Sequence, residues 1–421
     1  MSRRVRIPLL LTAFYVALPL GDLPGIGLSL SAPLVAWILV ETLAAPDRLP
    51  RGPWIGLTLL LWTGLAASLA VNVLTGAIPG VASDEWLLLA RFAYWGALFV
   101  AVAGWLSRAE WTRDVAAAIG LGAGVLGLLR LAEAARDGVW GAGNPQWLSQ
   151  NDYGFGFSTF TPFLLWTAFA GPRSLRLIAL ALTPATLLAV VGNGSRSSWI
   201  AVAVGACLLV ALTVASGRLR VWTTLAAASA AALLLSAGAM RVTASPAEVL
   251  ESDVLAGPRA RWESLGRLDA DKPFRTRLLL VDKGLQLFER SPWVGVGLGR
   301  FAKESAEPSG LADAAWLNRD QLNERTPHNA YVKILGETGL AGTVPLLLLL
   351  GLAAWRGPGA ALRSARLGET WAAAAVAAGA GMSLHLWTMS GLTGTGPWLV
   401  LGLIAAAVER DRRRARTGAP A

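Results

Sequence analysis

Between residues 198 and 216 the chain carries no charged side chain, and apolar runs of similar length recur along most of the sequence. A helix of about twenty apolar residues crosses the hydrocarbon core of a bilayer. Within that core every backbone N–H and C=O must be satisfied by the protein itself, which a helix does along its own length. Charged residues make up only 15% of the chain, against about 25% in soluble domains. The expectation is an all-α polytopic membrane protein with about twelve transmembrane helices. The runs lie near 7–20, 26–45, 54–75, 86–107, 113–134, 153–171, 175–192, 198–216, 221–240, 330–355, 370–390 and 394–409.

The organisation follows. Residues 1–240 carry spans one to nine. Residues 241–328 form the one large polar segment, read as a partly helical external loop. Residues 329–421 carry the last three spans and a basic tail. The start, a basic Met1–Arg6 and then an apolar run to Leu20, has the form of a signal peptide. It reads as an uncleaved first span, because no small-residue cleavage site follows.

The net charge of +10 reflects arginines in short loops, which face the cytoplasm by the positive-inside rule. With the N-terminus inside, Arg48, Arg51, Arg108, Arg173, Arg176, Arg218, Arg220 and the stretch Arg356–Arg366 fall on the inner side. The tail from Arg410 to Arg416 is inside as well. The outer links near 21–25, 76–85 and 391–394 contain no Lys or Arg. Nothing here calls for a nucleic acid. The single cysteine, Cys207, allows no intrachain disulfide.

Several polar residues then stand out on the outer side. His328, one of two histidines, sits where the polar segment ends and an apolar run begins. Its ordinary pKa near 6.5 suits a proton acceptor close to neutral pH. Alone it reads equally as a surface histidine. Asn329 is placed to cap the helix that follows. Arg196 lies in an outer turn, against the charge rule, and its donor fork suits a phosphate or pyrophosphate. Snorkelling to lipid headgroups is the alternative.

Within 275–291, Leu278, Val281, Leu285 and Phe288 recur at helical spacing and predict an amphipathic helix. Arg277 lies nearer the centre of that stripe than Arg275 does, so it is expected to face the membrane. A solvated charge is the bland reading. Arg91 and Arg130 fall within spans four and five, where ionisable groups are costly, or else snorkel outward. Glu337, inside the tenth span, is expected to pair with an arginine, most simply as a structural ion pair. His385, near the outer end of the eleventh span, reads as a hydrogen-bonded structural histidine. Asp269-Ala-Asp271 is weak as a metal motif. Gly295-Val-Gly-Leu-Gly299 lacks the βαβ setting of a dinucleotide fingerprint. External tryptophans such as Trp140 and Trp147 could stack on sugars.

Three ordered pieces together resemble the O-antigen ligase family, which also includes O-antigen polymerases and protein O-oligosaccharyltransferases. They are Ser195-Arg196-Ser197 opening a span, Arg277 ahead of Pro292-Trp-Val-Gly-Val-Gly297, and His328-Asn329-Ala-Tyr331 with Glu337-Thr-Gly339-Leu-Ala-Gly342. Asn151, ahead of the sixth span, also looks like a family asparagine. Val281 departs from the pattern, standing where a tryptophan is expected. The resemblance implies an inverting membrane glycosyltransferase using an undecaprenyl-pyrophosphate-linked glycan at the periplasmic face of the bacterial inner membrane, without metal or other cofactor. The acceptor would be lipid A-core. In this reading His328 is the catalytic base, and Arg196, Arg277 and Arg91 bind pyrophosphate. Asn329, Asn151, Arg275, Glu337 and His385 support them. Polymerase and protein O-oligosaccharyltransferase activities are alternatives, and a secondary transporter or flippase is a distant one.

Overall fold

The structure is a computed structural model that describes residues 3–17, 32–137, 150–217, 272–305 and 327–417. The expected ninth span, most of the polar segment 241–328, and Trp140 and Trp147 lie outside the described residues.

Among the described residues the chain forms thirteen α-helices. They are α1 (Arg3–Ala17), α2 (Ala32–Leu43), α3 (Trp54–Leu74), α4 (Ser83–Leu106), α5 (Thr112–Asp137), α6 (Gln150–Ala170) and α7 (Arg173–Gly192). Then come α8 (Arg196–Val214), α9 (Lys272–Arg290), α10 (Phe301–Ser305), α11 (Ala330–Arg366), α12 (Trp371–His385) and α13 (Thr395–Thr417). Six of them, α3, α4, α5, α7, α8 and α11, are long and apolar enough to cross a membrane. The chain is a polytopic helical membrane protein. The count of twelve spans is a sequence expectation; six is the number of described helices that meet that standard.

Helices pack at both ends through different chemistry. At one end the arginine-bearing loops meet. Arg108 pairs with Asp47 at 3.3 Å, and Arg410 and Arg414 hold Glu369 at 3.0 and 2.7 Å. Arg363 makes a two-pronged bond to Asp411, and Arg6 reaches Asp114. The loops grouped on one side by charge alone therefore converge at one end of the bundle. The residues singled out on the other side, Ser195-Arg196, His328 and His385, lie at the opposite end, because each helix between them reverses the chain.

α12 is too short to span. Its 15 residues rise about 22 Å at 1.5 Å per residue, against a core of about 30 Å. It is wrapped by α8, α6, α11 and α13, and its alanines from Ala372 to Ala378 are buried. It starts at the basic end, where Thr370 accepts from Trp166 at 2.9 Å. Its far end, at His385, is thereby recessed within the bundle.

α11 is a broken helix, which the apolar run 330–355 did not announce. Gly339 takes φ 54° and ψ −151°, a region open in practice to glycine alone. A break at membrane depth frees backbone groups that need partners. The turn Pro292–Gly297 supplies them. Val296 and Gly297 N–H donate to the Gly336 and Glu337 carbonyls at 3.1 and 2.9 Å. Leu340 and Ala341 N–H donate back to the Pro292 and Trp293 carbonyls at 2.8 and 2.9 Å. Two of the sequence pieces are thus one structural unit.

The first half of α11 runs across the bundle. Ala330 N–H donates to the Leu386 carbonyl, just beyond α12, while the Glu337 carbonyl accepts from Ser68 of α3. Leu386 and Ser68 stand about 22 and 21 Å above the starts of their helices at 1.5 Å per residue, so both ends of the half-helix lie at similar height.

Candidate active site

The turn between α7 and α8 is built on Gly194, whose φ of 65° needs no Cβ. Trp199 Nε1 donates to the Val190 carbonyl and clamps the turn from the helix side. Ser195 is the N-cap residue of α8, with its Oγ 3.2 Å from Ser197 Oγ rather than on the helix N–H groups. Arg196 is therefore the first helical residue, half-buried, at a terminus whose dipole favours anions.

α6 comes close to this turn because it presents a glycine. A Cβ on Gly154 would lie 3.1 Å from Ser195 Oγ and 3.2 Å from His385 Cε1. Asn151 precedes Gly154 by one helical turn. His385 is 1% exposed, with its ring edge-on to Phe155 at 5.8 Å. The Arg277 guanidinium and the Asn151 backbone both act on its imidazole. Neither of its ring nitrogens makes a hydrogen bond of full geometry, and the Asn151 backbone is the hydrogen-bonding group that acts on the ring.

The second histidine arrives beside the first. His328 has φ 45°, the one positive φ among described non-glycine residues. Such a backbone costs about 1–3 kcal/mol and tends to cluster at functional sites. Asn329 caps α11: its Oδ1 accepts from Tyr331 and Val332 N–H, both at 3.1 Å. Tyr331 Oη donates to the Ser383 carbonyl at 3.0 Å, and its ring lies 5.2 Å from that of Trp387. Together with the Ala330–Leu386 bond, these contacts stitch residues 328–331 to residues 383–387.

Arg277 faces differently from the expectation. Leu278 and Leu285 of the predicted stripe are 53% and 41% exposed, whereas Leu280, Lys283 and Leu287 are buried. α9 packs on α11 where Gly284 meets Val332 and Gly336. Arg277 stands in register with Leu280, Gly284 and Leu287, and so points into the protein toward His385, not toward the membrane. The exposed leucines share their face with Asp282, Gln286 and Glu289, so the apolar stripe does not mark the packed side. Helix packing follows the small residues instead. Burial pushes the Lys283 amine below its usual range, and it donates to the Ser305 carbonyl.

The remaining candidates are placed as follows. Glu337 is fully buried, with Oε2 2.9 Å from Lys333 and Oε1 accepting from Phe301 N–H at 3.2 Å. Its partner is a lysine one turn back, not an arginine, and its carboxylate anchors the segment after the glycine turn. Arg91 is half-buried two turns into α4, whose main neighbours are α13, α3 and α2, rather than the helices carrying Arg196, Arg277 and His385. Arg275 falls in α9, with its side chain outside the described part. Arg130 does not snorkel: it is 5% exposed, 3.9 Å from Glu133, and over the Tyr153 ring at 5.7 Å.

The site therefore collects Asn151, Ser195, Arg196, Arg277, His328 and His385 from five separate segments. Residues 179–347 match the family described as O-antigen ligase. Over these residues the chain is similar to that family, and the match supports the resemblance carried by the three sequence pieces. The matched region contains Arg196, Arg277, His328 and Glu337, together with the broken half of α11 and its docked turn. Asn151, Gly154 and His385 lie outside it. The match supports a ligase- or polymerase-type membrane glycosyltransferase. No curated protein matches the chain.

Proposed function

We propose that the protein transfers a glycan from undecaprenyl pyrophosphate to an acceptor hydroxyl at the periplasmic face of the bacterial inner membrane, as an O-antigen ligase acting on lipid A-core. The observation that carries this reading is the convergence of Ser195-Arg196, Arg277 and Asn151 on His385, with His328 stitched to the same helix end. The site lies opposite the arginine-rich end, which the charge rule assigns to the cytoplasm along with both termini.

The chemistry is a direct displacement. The acceptor oxygen attacks the anomeric carbon as His328 takes the hydroxyl proton. The bond from that carbon to the phosphate oxygen breaks, and the pyrophosphate leaves with the electron pair. Attack opposite the leaving group inverts the anomeric centre. Arg196 and Arg277 hold the charge that builds on the pyrophosphate, where preorganised donors act most strongly. Arg91 would assist from within the membrane only if the lipid reaches α4. The strained backbone at His328 and the cap at Asn329 fix where the imidazole starts from.

The test is reconstitution of purified protein with lipid-linked glycan and candidate acceptors. The expected result is transfer to lipid A-core by the wild type, lowered at least about a hundredfold in His328→Ala, the range of general-base catalysis. Wild-type turnover by His328→Ala would remove the base assignment. Mass spectrometry of the acceptor end identifies the product. A second repeat unit would make the protein a polymerase, and a protein serine would make it a protein O-oligosaccharyltransferase.

A further inference from the structure

The opposite end of the molecule holds a second feature that glycan transfer does not use. Between α11 and α13 lies a half-open cavity of about 340 Å³, lined by Trp355, Arg356, Gly359, Arg363, Asp411 and Arg412. Three guanidinium groups face one carboxylate there. Arg363 is tied to Asp411 by bonds of 2.9 and 2.7 Å, and Arg412 to Glu409 at 3.0 Å. Arg356 is exposed and makes no hydrogen bond or ion pair with any described residue.

The side of α11 leading into this cavity is apolar and open. Val344, Leu347 and Leu348 are exposed, and Trp355 is 85% exposed. Between them, Gly351 has nothing within 4 Å of where a Cβ would stand. The stripe keeps helical spacing, so it makes one lipid-facing groove that ends on a tryptophan and a free arginine. Tryptophan marks the headgroup level of a membrane protein, and a basic pocket between helices suits a lipid phosphate.

We propose that this cavity binds the phosphodiester headgroup of an anionic membrane phospholipid, whose acyl chain lies along Val344–Trp355. Arg356 supplies the unneutralised charge, and the Arg363–Asp411 pair forms the wall. The bound lipid bridges α11 and α13 at the end far from His328. A soluble anion would fit the charge but would make no use of the apolar groove.

Native mass spectrometry of the full chain, released from mixed phosphatidylglycerol and phosphatidylcholine, tests this. The expected result is retention of phosphatidylglycerol over phosphatidylcholine, weakened about fivefold by Arg356→Ala, near the value of one basic side chain at a membrane surface. Arg356→Glu should weaken it further, and Arg366→Ala, outside the cavity, should leave it unchanged. Unchanged thermal midpoints of the variants would show that the fold is kept. Equal retention of both lipids, equal retention by wild type and Arg356→Glu, or displacement of the lipid by millimolar inorganic phosphate would each overturn the proposal.

Discussion

Replacing Gly339 by alanine tests the junction on which the site is built. A Cβ at this position would lie 2.6 Å from the Pro292 carbonyl oxygen, 2.6 Å from the Trp293 carbonyl carbon and 2.7 Å from Gly295 N. All three are backbone atoms, so no side chain can swing away. The φ and ψ at Gly339 add about 1–3 kcal/mol of strain for any L-residue. Relieving the clash means backing the Pro292–Gly297 turn out of α11, which loosens four backbone hydrogen bonds worth about 1 kcal/mol each. The combined loss is about 3 kcal/mol or more. The matched control is Gly351→Ala in the same helix, where there is open space and alanine is the better helix former by about 1 kcal/mol. Purified proteins in nanodiscs would be compared by thermal unfolding and by hydrogen exchange at residues 295–298. Gly339→Ala should unfold earlier and exchange faster, while Gly351→Ala should match the wild type or exceed it. Because α9 enters this turn at Ser291, Gly339→Ala should also displace Arg277 and slow transfer. If Gly339→Ala and Gly351→Ala share one midpoint and one exchange pattern, the break is not held by the turn and the reasoning fails.

Arg277→Ala should lower kcat/KM for glycan transfer by about 10- to 100-fold, the value of a charge-assisted hydrogen bond of about 1.5–3 kcal/mol. Arg277→Lys should recover only part of that, because the donor fork is lost. In both variants, and in Arg196→Ala, lipid-linked glycan should still be detected on the outer leaflet; its absence there would favour transport over transfer. At the basic end, burial acts upward on the Glu369 carboxyl, and Arg410 and Arg414 together outweigh it, holding it below the usual carboxylate range. A lowered folded pKa adds stability above the unfolded value, near 4.3 for Glu, and loses it as pH falls through the folded value. Thermal midpoints measured from about pH 6 downward through about pH 4.3 and below should drop less steeply for Glu369→Gln than for wild type. An identical slope would show that the pair carries no linkage.

Much of the architecture was legible because it depends on local chemistry. Residues 198–216 announce a span by lacking charge, and α8 is found there. Asn329 reads as a helix cap because its short side chain can reach the first free N–H groups, and it does. Arginine placement sorted the loops into two sets, and Asp47, Glu369 and Asp411 draw one of those sets together. His385 was visible only as a residue type. What sets it beside Asn151 and Ser195 is the missing side chain of Gly154, and a glycine in an apolar run gives no sign of which helix will approach it. The stripe on α9 was misread for a related reason: Leu278 and Leu285 are outward-facing, and the packed face is marked by Gly284.

The sequence by itself therefore determined that the chain is helical and membrane-bound, since hydrocarbon thickness and backbone satisfaction act on each segment separately. Only the tertiary structure decided that α11 breaks at Gly339, that Arg277 points inward, and that two histidines share one helix end. Between helices in lipid there is no water to expel, so contacts are chosen by close backbone approach at small residues. That fit depends on two surfaces at once, and neither segment encodes it alone.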